Sequence, residues 1–159
     1  MSWTPPTARE RLDILKATRT VAMVGASSNS SRASNFVATY LIAESDYELW
    51  FVNPREKEIF GRPVYPSLAE LPGPPDLVDV FRRPEDLPAV ADEAIAAGAS
   101  TLWLQLGLRD QAVAEYADGA GLNVVMDRCV KIEHARFRGG LHLAGFDTGV
   151  LSSRRTRPV

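Results

Sequence analysis

The sequence contains a single cysteine, Cys129, among its 159 residues. One thiol excludes an internal disulfide framework and a zinc site built from cysteines. No apolar run approaches the roughly 20 residues that a membrane span needs. The first residues show no basic segment followed by an apolar one, so we expect no secretory signal. These absences predict a protein of the reducing cytoplasm with no membrane partner.

Neither sign of charge dominates, because 18 basic and 20 acidic side chains leave a formal net charge of −2. Nucleic-acid-binding proteins normally carry a strongly basic footprint, so the sequence argues against that class. The charge is uneven along the chain, with net −7 over residues 1–127 and net +5 over residues 128–159. We interpret the basic end as a solvated surface or as a binding site for an acidic partner, and the solvated surface is the simpler interpretation.

Short apolar runs alternate with amphipathic segments along the chain. Five runs are typical of buried parallel strands: Thr20–Gly25, Tyr47–Val52, Asp76–Phe81, Thr101–Leu106 and Leu122–Met126. Their alternation with helical spacing implies right-handed crossovers and a doubly wound, Rossmann-like α/β sheet. We predict one domain over residues 1–159. Its core lies at about 20–138, with an N-terminal helix within 1–19 and an irregular C-terminal segment at 139–159.

Two helices have clear signals in the sequence. Thr7 and Glu10 form a capping box, in which each side chain satisfies the backbone N–H of the other residue, so a helix is expected up to about Thr18. The helix after the first strand carries an apolar stripe, typical of a helix that packs on a sheet. Its members are Phe36, Val37, Tyr40 and Leu41.

The loop Gly25–Arg32 joins the first strand to the next helix, at the edge where open α/β sheets bind ligands. Its small residues allow close approach of a ligand, the helix start favours a phosphate, and Arg32 adds a positive charge. The loop contains neither Gly-x-Gly-x-x-Gly nor Gly-Lys-Ser/Thr, so it predicts no standard dinucleotide fingerprint and no P-loop. A polar turn capped by serine fits the loop equally well.

Asn53-Pro54-Arg55 ends the second strand, where an NAD site expects an acidic residue for the ribose hydroxyls. Asn53 and Arg55 stand there instead, which disfavours NAD and favours a ligand with an extra phosphate near its ribose. After the third strand, Phe81 is a candidate to pack on an adenine and Arg82 to meet a phosphate. A strand cap and surface charge are the alternative for this pair.

We predict no catalytic residue and no metal site from the sequence. His134 and His142 lack a paired nucleophile, and Glu133-His134 lacks a second histidine one turn away. The Ser27–Ser31 cluster has no nucleophile-elbow context.

Five ordered blocks lie at the predicted strand ends: VGASSNSSRAS (24–34), VNPREKEIFGRPVYPSL (52–68), DLVDVFRRPED (76–86), WLQLG (103–107) and VVMDRCVKIEH (124–134). With GGLHLAGFDTGVLSSRR (139–155), they resemble the small stand-alone CoA-binding proteins. These are bacterial relatives of the CoA-binding Rossmann domain of the succinyl-CoA synthetase α subunit. The resemblance covers about Thr20 to Arg155 and implies a five-stranded parallel sheet, strand order 3-2-1-4-5, with helices on both faces.

The resemblance implies coenzyme A or an acyl-CoA as the ligand and no catalysis, because the synthetase's phosphohistidine domain has no counterpart here. It implies that the pyrophosphate is wrapped by Gly25, Ala26, Ser27 and Ser28, with help from Arg32. The 3′-phosphoadenosine would lie near Asn53, Pro54 and Arg55, followed by the segment of Phe81 and Arg82. Pantetheine would run along Gln105, Leu106 and Gly107.

Two other function classes remain open. One is a nucleotide-dependent enzyme, either an NAD(P) oxidoreductase or an accessory subunit of a CoA transferase or ligase; the other is an interaction module that uses the basic C-terminal segment. The lack of a poised polar pair favours a binding protein. Cys129 follows the fifth strand and suggests a mixed disulfide with CoA, although a packing role is simpler.

Overall fold

A computed structural model describes residues 2–138, and the strands among them form one sheet. In chain order, the strands are β1 (Thr20–Val24), β2 (Glu48–Val52), β3 (Glu58–Ile59), β4 (Arg62–Tyr65), β5 (Leu77–Val80), β6 (Thr101–Leu104) and β7 (Asn123–Val125). Their order across the sheet is β3-β4-β2-β1-β5-β6-β7. Every neighbouring pair is parallel except β3–β4, which is a short antiparallel pair.

The five predicted strands are present, but the sheet has seven strands rather than five, and the five do not lie in the predicted order 3-2-1-4-5. The third predicted strand, Asp76–Phe81, contains β5, which pairs with β1 rather than with β2. β4 takes the place beside β2. The strand β4 was missed because it is not buried and contains Pro63, which has no N–H for a sheet ladder. With β4 counted third and β3 left out, the order is the 3-2-1-4-5-6 of doubly wound folds.

Helices connect the parallel strands. They are α1 (Ala8–Ala17), α2 (Ala33–Glu44), α3 (Leu87–Ala96), α4 (Gln111–Gly119) and α5 (Val130–Arg138), with 3-10 turns at Leu68–Glu70 and Pro84–Asp86. The predicted capping box is present, since the Glu10 N–H donates to Thr7 Oγ1 at 3.1 Å and the Thr7 N–H to Glu10 Oε1 at 2.8 Å. The predicted irregular segment 139–159 and His142 lie outside the described residues.

Alternating side chains of the strands divide the core between two faces of the sheet. On β1, Val21 and Met23 belong to the layer that contains α1, α2 and α5. Ala22 and Val24 belong to the opposite layer, with α3 and α4. Helices therefore cover both faces, as predicted. Within residues 2–138 no helix has the length and apolar character needed to cross a membrane.

A carboxyl group lies inside this core. Asp79 of β5 is fully buried, and neither side-chain oxygen has a hydrogen-bond partner among residues 2–138. Its neighbours across the ladder are Met23 and Trp103. Burial raises the pKa of Asp79 well above its usual range, because an apolar environment penalises the charged form.

A buried ion pair fixes α1 against α5. Arg11 Nε lies 2.7 Å from Glu133 Oε1, and both side chains are buried. The other oxygen of Glu133 accepts from Arg128 Nη1 at 3.3 Å. Arg128 lies in the loop after β7, so this pair also restrains a loop at the carboxyl edge of the sheet.

Candidate ligand-binding cleft

An open cleft of about 1080 Å³ lies at the carboxyl ends of the parallel strands. The loops after β1, β2, β5 and β6 and the start of α5 contribute to its lining. Ten of the thirteen residues predicted to contact a ligand line it: Gly25, Ser27, Arg32, Asn53, Pro54, Arg55, Phe81, Arg82, Gln105 and Leu106. Segments separated by up to 80 residues in the chain are therefore brought to one place.

The remaining three predicted residues, Ala26, Ser28 and Gly107, are not part of the lining. Ala26 is buried, and its carbonyl accepts from Asn53 Nδ2 at 2.7 Å. The exposed Ser28 and Gly107 donate their backbone N–H groups to acidic side chains, at 2.9 Å and 2.8 Å respectively. Ala26 thus has its side chain in the core, while its peptide ties the first loop to the loop after β2.

Gly25 makes the tight exit from β1 possible. Its φ is +88°, and its N–H donates to the Val52 carbonyl at 2.9 Å. A Cβ at this position would lie 2.3 Å from the carbonyl oxygen of Phe81, at the end of β5. Only glycine allows the ends of these two strands to lie so close together with this backbone conformation.

Polar side chains hold the loop between β1 and α2 in shape. The Ser27 N–H donates to Ser34 Oγ at 3.1 Å, and Asn35 Nδ2 donates to the Ser27 carbonyl at 3.1 Å. Ser34 and Asn35 are buried, and sequence reasoning missed their role because buried polar residues in a helix give no periodic signal. The N-cap of α2 is Arg32 rather than a serine, and no side chain caps the helix. The Asn35 N–H donates to the Arg32 carbonyl at 3.0 Å, so the N–H groups of Ala33 and Ser34 are the ones left for an anion.

The three predicted arginines differ in their surroundings. Arg32 and Arg55 are exposed, and neither forms an ion pair with any residue between 2 and 138. Arg82 is half-buried, and its Nη2 donates to Asp86 Oδ2 at 3.1 Å. Two of the three guanidinium groups are thus available to an anion, while the third is shared with a neighbouring carboxylate.

Glu56 brings a negative charge into the same cleft. Its Oε2 accepts the backbone N–H of Ser28 at 2.9 Å, and the side chain lines the cleft. This carboxylate occupies a donor that was predicted to face a pyrophosphate. Lys57, the next residue, is exposed and is not in the lining.

Two loops at the far end of the cleft are fixed to each other. Gln105 is buried, and its Oε1 accepts the N–H of Val130, the first residue of α5, at 2.9 Å. Asp127, with φ +61°, accepts from the Gly107 N–H at 2.8 Å and from Arg109 Nη1 at 3.0 Å. The Gly107 N–H, followed by Arg109, lowers the pKa of the Asp127 carboxyl. Gln105 therefore positions α5, a role that its place after a strand did not reveal.

The apolar stripe predicted for α2 is divided between the core and the cleft. Val37 and Leu41 are buried and Tyr40 is half-buried, but Phe36 is exposed and lines the cleft. The prediction that all four residues share the packed face is wrong for Phe36. Helical spacing cannot reveal this, because it does not show that the first turns of α2 line the cleft.

Cys129 and His134 occupy different surroundings. Cys129 is half-buried, lines the cleft and packs at the edge of the core. His134 Nδ1 lies 2.8 Å from Tyr40 Oη outside the cleft lining, and burial lowers the pKa of the imidazole. Within the described part of the chain, no group of three His, Cys, Asp or Glu residues is arranged to hold a metal ion.

The basic segment 128–159 is described only as far as Arg138. In that part, Arg128 and Arg136 pair with Glu133, at 3.3 Å and 3.6 Å, and Arg138 pairs with Glu44. These basic side chains thus contribute to contacts within the domain, in addition to any role at its surface.

Comparison with known proteins places the chain in a family. Residues 19–135 match the model of a CoA binding domain. The chain belongs to this CoA-binding domain family. The uncharacterized protein YneT of Bacillus subtilis (strain 168) is 37% identical over 130 residues, which are 82% of this chain and 96% of YneT.

Solved structures from this comparison agree with the fold. A hypothetical protein from Pyrococcus horikoshii OT3 has a TM-score of 0.78 and 34% identity, covering 86% of this chain and 98% of that one. The cell-free ID.343 structure from Thermus thermophilus has a TM-score of 0.77 and 35% identity, covering 82% and 98%. These two matches span nearly the whole of the related chains, so the shared fold extends over their full length.

Proposed function

We propose that this protein binds coenzyme A in the cleft at the carboxyl edge of its sheet, without catalysing a reaction, and that it does so in the cytoplasm. The observation that carries the proposal is the convergence of Arg32, Arg55 and Arg82, from three separate loops, on one cleft of a CoA-binding domain. Coenzyme A carries a pyrophosphate and a 3′-phosphate, so several guanidinium groups in one cleft suit it.

The pyrophosphate would lie against the loop after β1. Gly25 gives close access to the backbone, the uncapped start of α2 supplies N–H groups, and Arg32 supplies charge. The N–H of Ser28 joins this site when the Glu56 carboxylate moves away from it.

The adenosine end would lie beside the loop after β2. Arg55 is unpaired in residues 2–138 and suits the 3′-phosphate, while Pro54 and Phe81 supply apolar surface for the adenine. The Asn53 amide is used to hold Ala26, so Asn53 acts by positioning the two loops relative to each other.

Pantetheine would continue past the loop after β6, along Leu106 and the backbone of Gly107. Gln105 acts here through the α5 start that it holds. The lining favours ligand binding over catalysis. Glu56 is the carboxylate of the cleft lining, and Glu56 accepts a backbone N–H rather than a hydrogen bond from a second titratable side chain.

Calorimetry on matched variants tests the proposal. Arg32→Ala and Arg55→Ala should each weaken CoA binding by about 1.5–3 kcal/mol, the range for hydrogen bonds to charged groups. Lys57→Ala is the control, because Lys57 is exposed beside the same loop but does not line the cleft. Binding of NAD as tight as that of CoA, or an equal loss in Lys57→Ala, would contradict the proposal.

A further inference from the structure

Three large apolar side chains are exposed to the interior of the cleft. Phe36, Leu106 and Ile132 have 57%, 63% and 55% of their surface accessible, and all three line the cleft. They belong to α2, the loop after β6 and α5, so the fold gathers them from three separate parts of the chain. Exposed apolar side chains that gather at one place mark a binding surface for an apolar group.

Leu106 and Ile132 lie toward one end of the cleft, whereas Phe36 lies one turn after Arg32 on α2. Arg55 follows β2, whereas Leu106 follows β6, and β1 and β5 lie between these two strands. Three strand spacings of about 4.8 Å separate the two loops by roughly 14 Å. The cleft is therefore polarised between Arg55 at the β2 end and Leu106 and Ile132 at the β6 and α5 end, with Arg32 and Phe36 of α2 lying next to each other.

Hydrogen bonds hold in place the apolar wall of the cleft, which consists of Phe36, Leu106 and Ile132. Tyr40, one turn after Phe36 on α2, lies 2.8 Å through its hydroxyl from His134 Nδ1 on α5. The start of α5 is fixed by the hydrogen bond from the Val130 N–H to Gln105 Oε1, at 2.9 Å. The helices that carry Phe36 and Ile132 are thus fastened to each other and to the sheet.

We propose that this apolar end receives the acyl chain of a CoA thioester, so that the preferred ligand is an apolar acyl-CoA rather than free CoA. The inference rests on the proposed function, because it takes the phosphates to lie at the arginine end and the sulfur to point toward Leu106. Free CoA reaches Leu106 with its pantetheine but leaves Phe36 and Ile132 in water, whereas an acyl chain covers both. Each buried methylene strengthens binding by up to about fourfold.

The apolar lining at this end argues against a dicarboxylic acyl group, because burying a carboxylate costs free energy. Lys131 is the cation that lines it, and its ammonium lies 5.9 Å from the centre of the Tyr40 ring. The acidic neighbours across the loop are Asp127, which is paired with Arg109, and Glu133, which is buried with Arg11. Among residues 2–138 that line this end, Lys131 is the one cationic partner for a carboxylate on the acyl chain, and that carboxylate would lose water against Leu106 and Ile132.

The test is a series of affinities measured by calorimetry for CoA and for its acetyl, butyryl, hexanoyl, octanoyl and succinyl thioesters. We expect the affinity to rise about two- to fourfold per methylene up to the length that the cleft accommodates, with succinyl-CoA weaker than butyryl-CoA. In Phe36→Ser and Ile132→Ser, the dependence on chain length should flatten, with free CoA changed less than twofold. The controls Ile42→Ser and Phe60→Ser alter exposed apolar residues outside the cleft and should leave the series unchanged.

The outcomes separate this inference from the function on which it rests. If CoA itself does not bind, the proposed function fails. If CoA binds but hexanoyl-CoA binds no more tightly, or succinyl-CoA binds most tightly, the acyl-chain site is refuted and CoA binding stands. If the two cleft variants change the oligomeric state and leave the chain-length series as it was, the apolar wall is a contact between copies of the chain and the inference is likewise refuted.

Discussion

Replacing Gly25 by alanine tests the structural basis of the cleft. The added Cβ would lie 2.3 Å from the Phe81 carbonyl oxygen, 3.0 Å from its carbonyl carbon and 3.1 Å from Arg82 Cδ. The two nearest atoms belong to the backbone. That backbone is held by the Phe81 N–H, which donates to the Val24 carbonyl at 2.8 Å. The clash can therefore be relieved only by separating the ends of β1 and β5.

Two costs add up in Gly25→Ala. The φ of +88° places alanine in the left-handed region, which costs about 1–2 kcal/mol. Forcing a methyl group into a filled space costs about 1–3 kcal/mol more. Gly121→Ala is the matched control, because Gly121 has φ +95° and nothing within 4 Å of its Cβ position. The free energy of unfolding of Gly121→Ala should therefore fall only by the cost of the left-handed backbone conformation.

Urea unfolding followed by far-ultraviolet circular dichroism measures both losses. We expect Gly25→Ala to lower the free energy of unfolding by about 1–3 kcal/mol more than Gly121→Ala does. We also expect only Gly25→Ala to weaken CoA binding, because only it displaces the loop after β1. Equal stability losses in the two variants, with CoA binding intact in both, would refute this reasoning.

Three further predictions concern single side chains. Because burial raises the pKa of Asp79, the folded state prefers the protonated carboxyl, whereas in the unfolded chain the same carboxyl ionises near pH 4. The free energy of unfolding should therefore fall by up to about 1.4 kcal/mol per pH unit as the pH rises from about 4 toward the folded-state pKa. In Asp79→Asn this slope should disappear from urea unfolding curves measured across that pH range, and an unchanged slope would show that Asp79 is not its source. Glu56→Gln removes a negative charge that holds the Ser28 N–H, so CoA should bind several-fold more tightly at low salt, with a smaller gain at high salt; unchanged or weaker binding would mean that Glu56 does not compete with a phosphate. Cys129 lines the cleft, so its thiolate should attack CoA disulfide, release one CoA thiol and retain the other CoA as a mixed disulfide; intact mass spectrometry should show one added CoA, and an equal gain in Cys129→Ser would exclude this residue.

The fold was predictable where burial left a pattern. β1 and β6 are almost wholly buried and form continuous apolar runs in the sequence, and the capping box of Thr7 and Glu10 predicted α1. β4 gave no such pattern, because none of its residues is buried and it contains Pro63, which is unusual within a strand. Its absence from the prediction displaced β5 to the wrong side of the sheet, since strand order depends on how many strands are counted.

The site was predictable in location but not in hydrogen bonding. Strand-end residues such as Arg55 and Leu106 meet in the cleft because parallel strands end at one edge. Sequence reasoning assigned Asn53 and Gln105 to the ligand, whereas the structure shows their side chains bonded to Ala26 and Val130. These partners are 27 and 25 residues away in the chain, and local sequence patterns carry no information about contacts of that separation.

The comparison of CoA with dephospho-CoA tests the central claim most directly. The two ligands differ only in the 3′-phosphate, which the proposal assigns to Arg55. At one fixed salt concentration, calorimetry should show CoA binding about 10- to 100-fold more tightly, the equivalent of one charge-assisted contact. Equal affinities for the two ligands, with no change in their ratio in Arg55→Ala, would contradict the account.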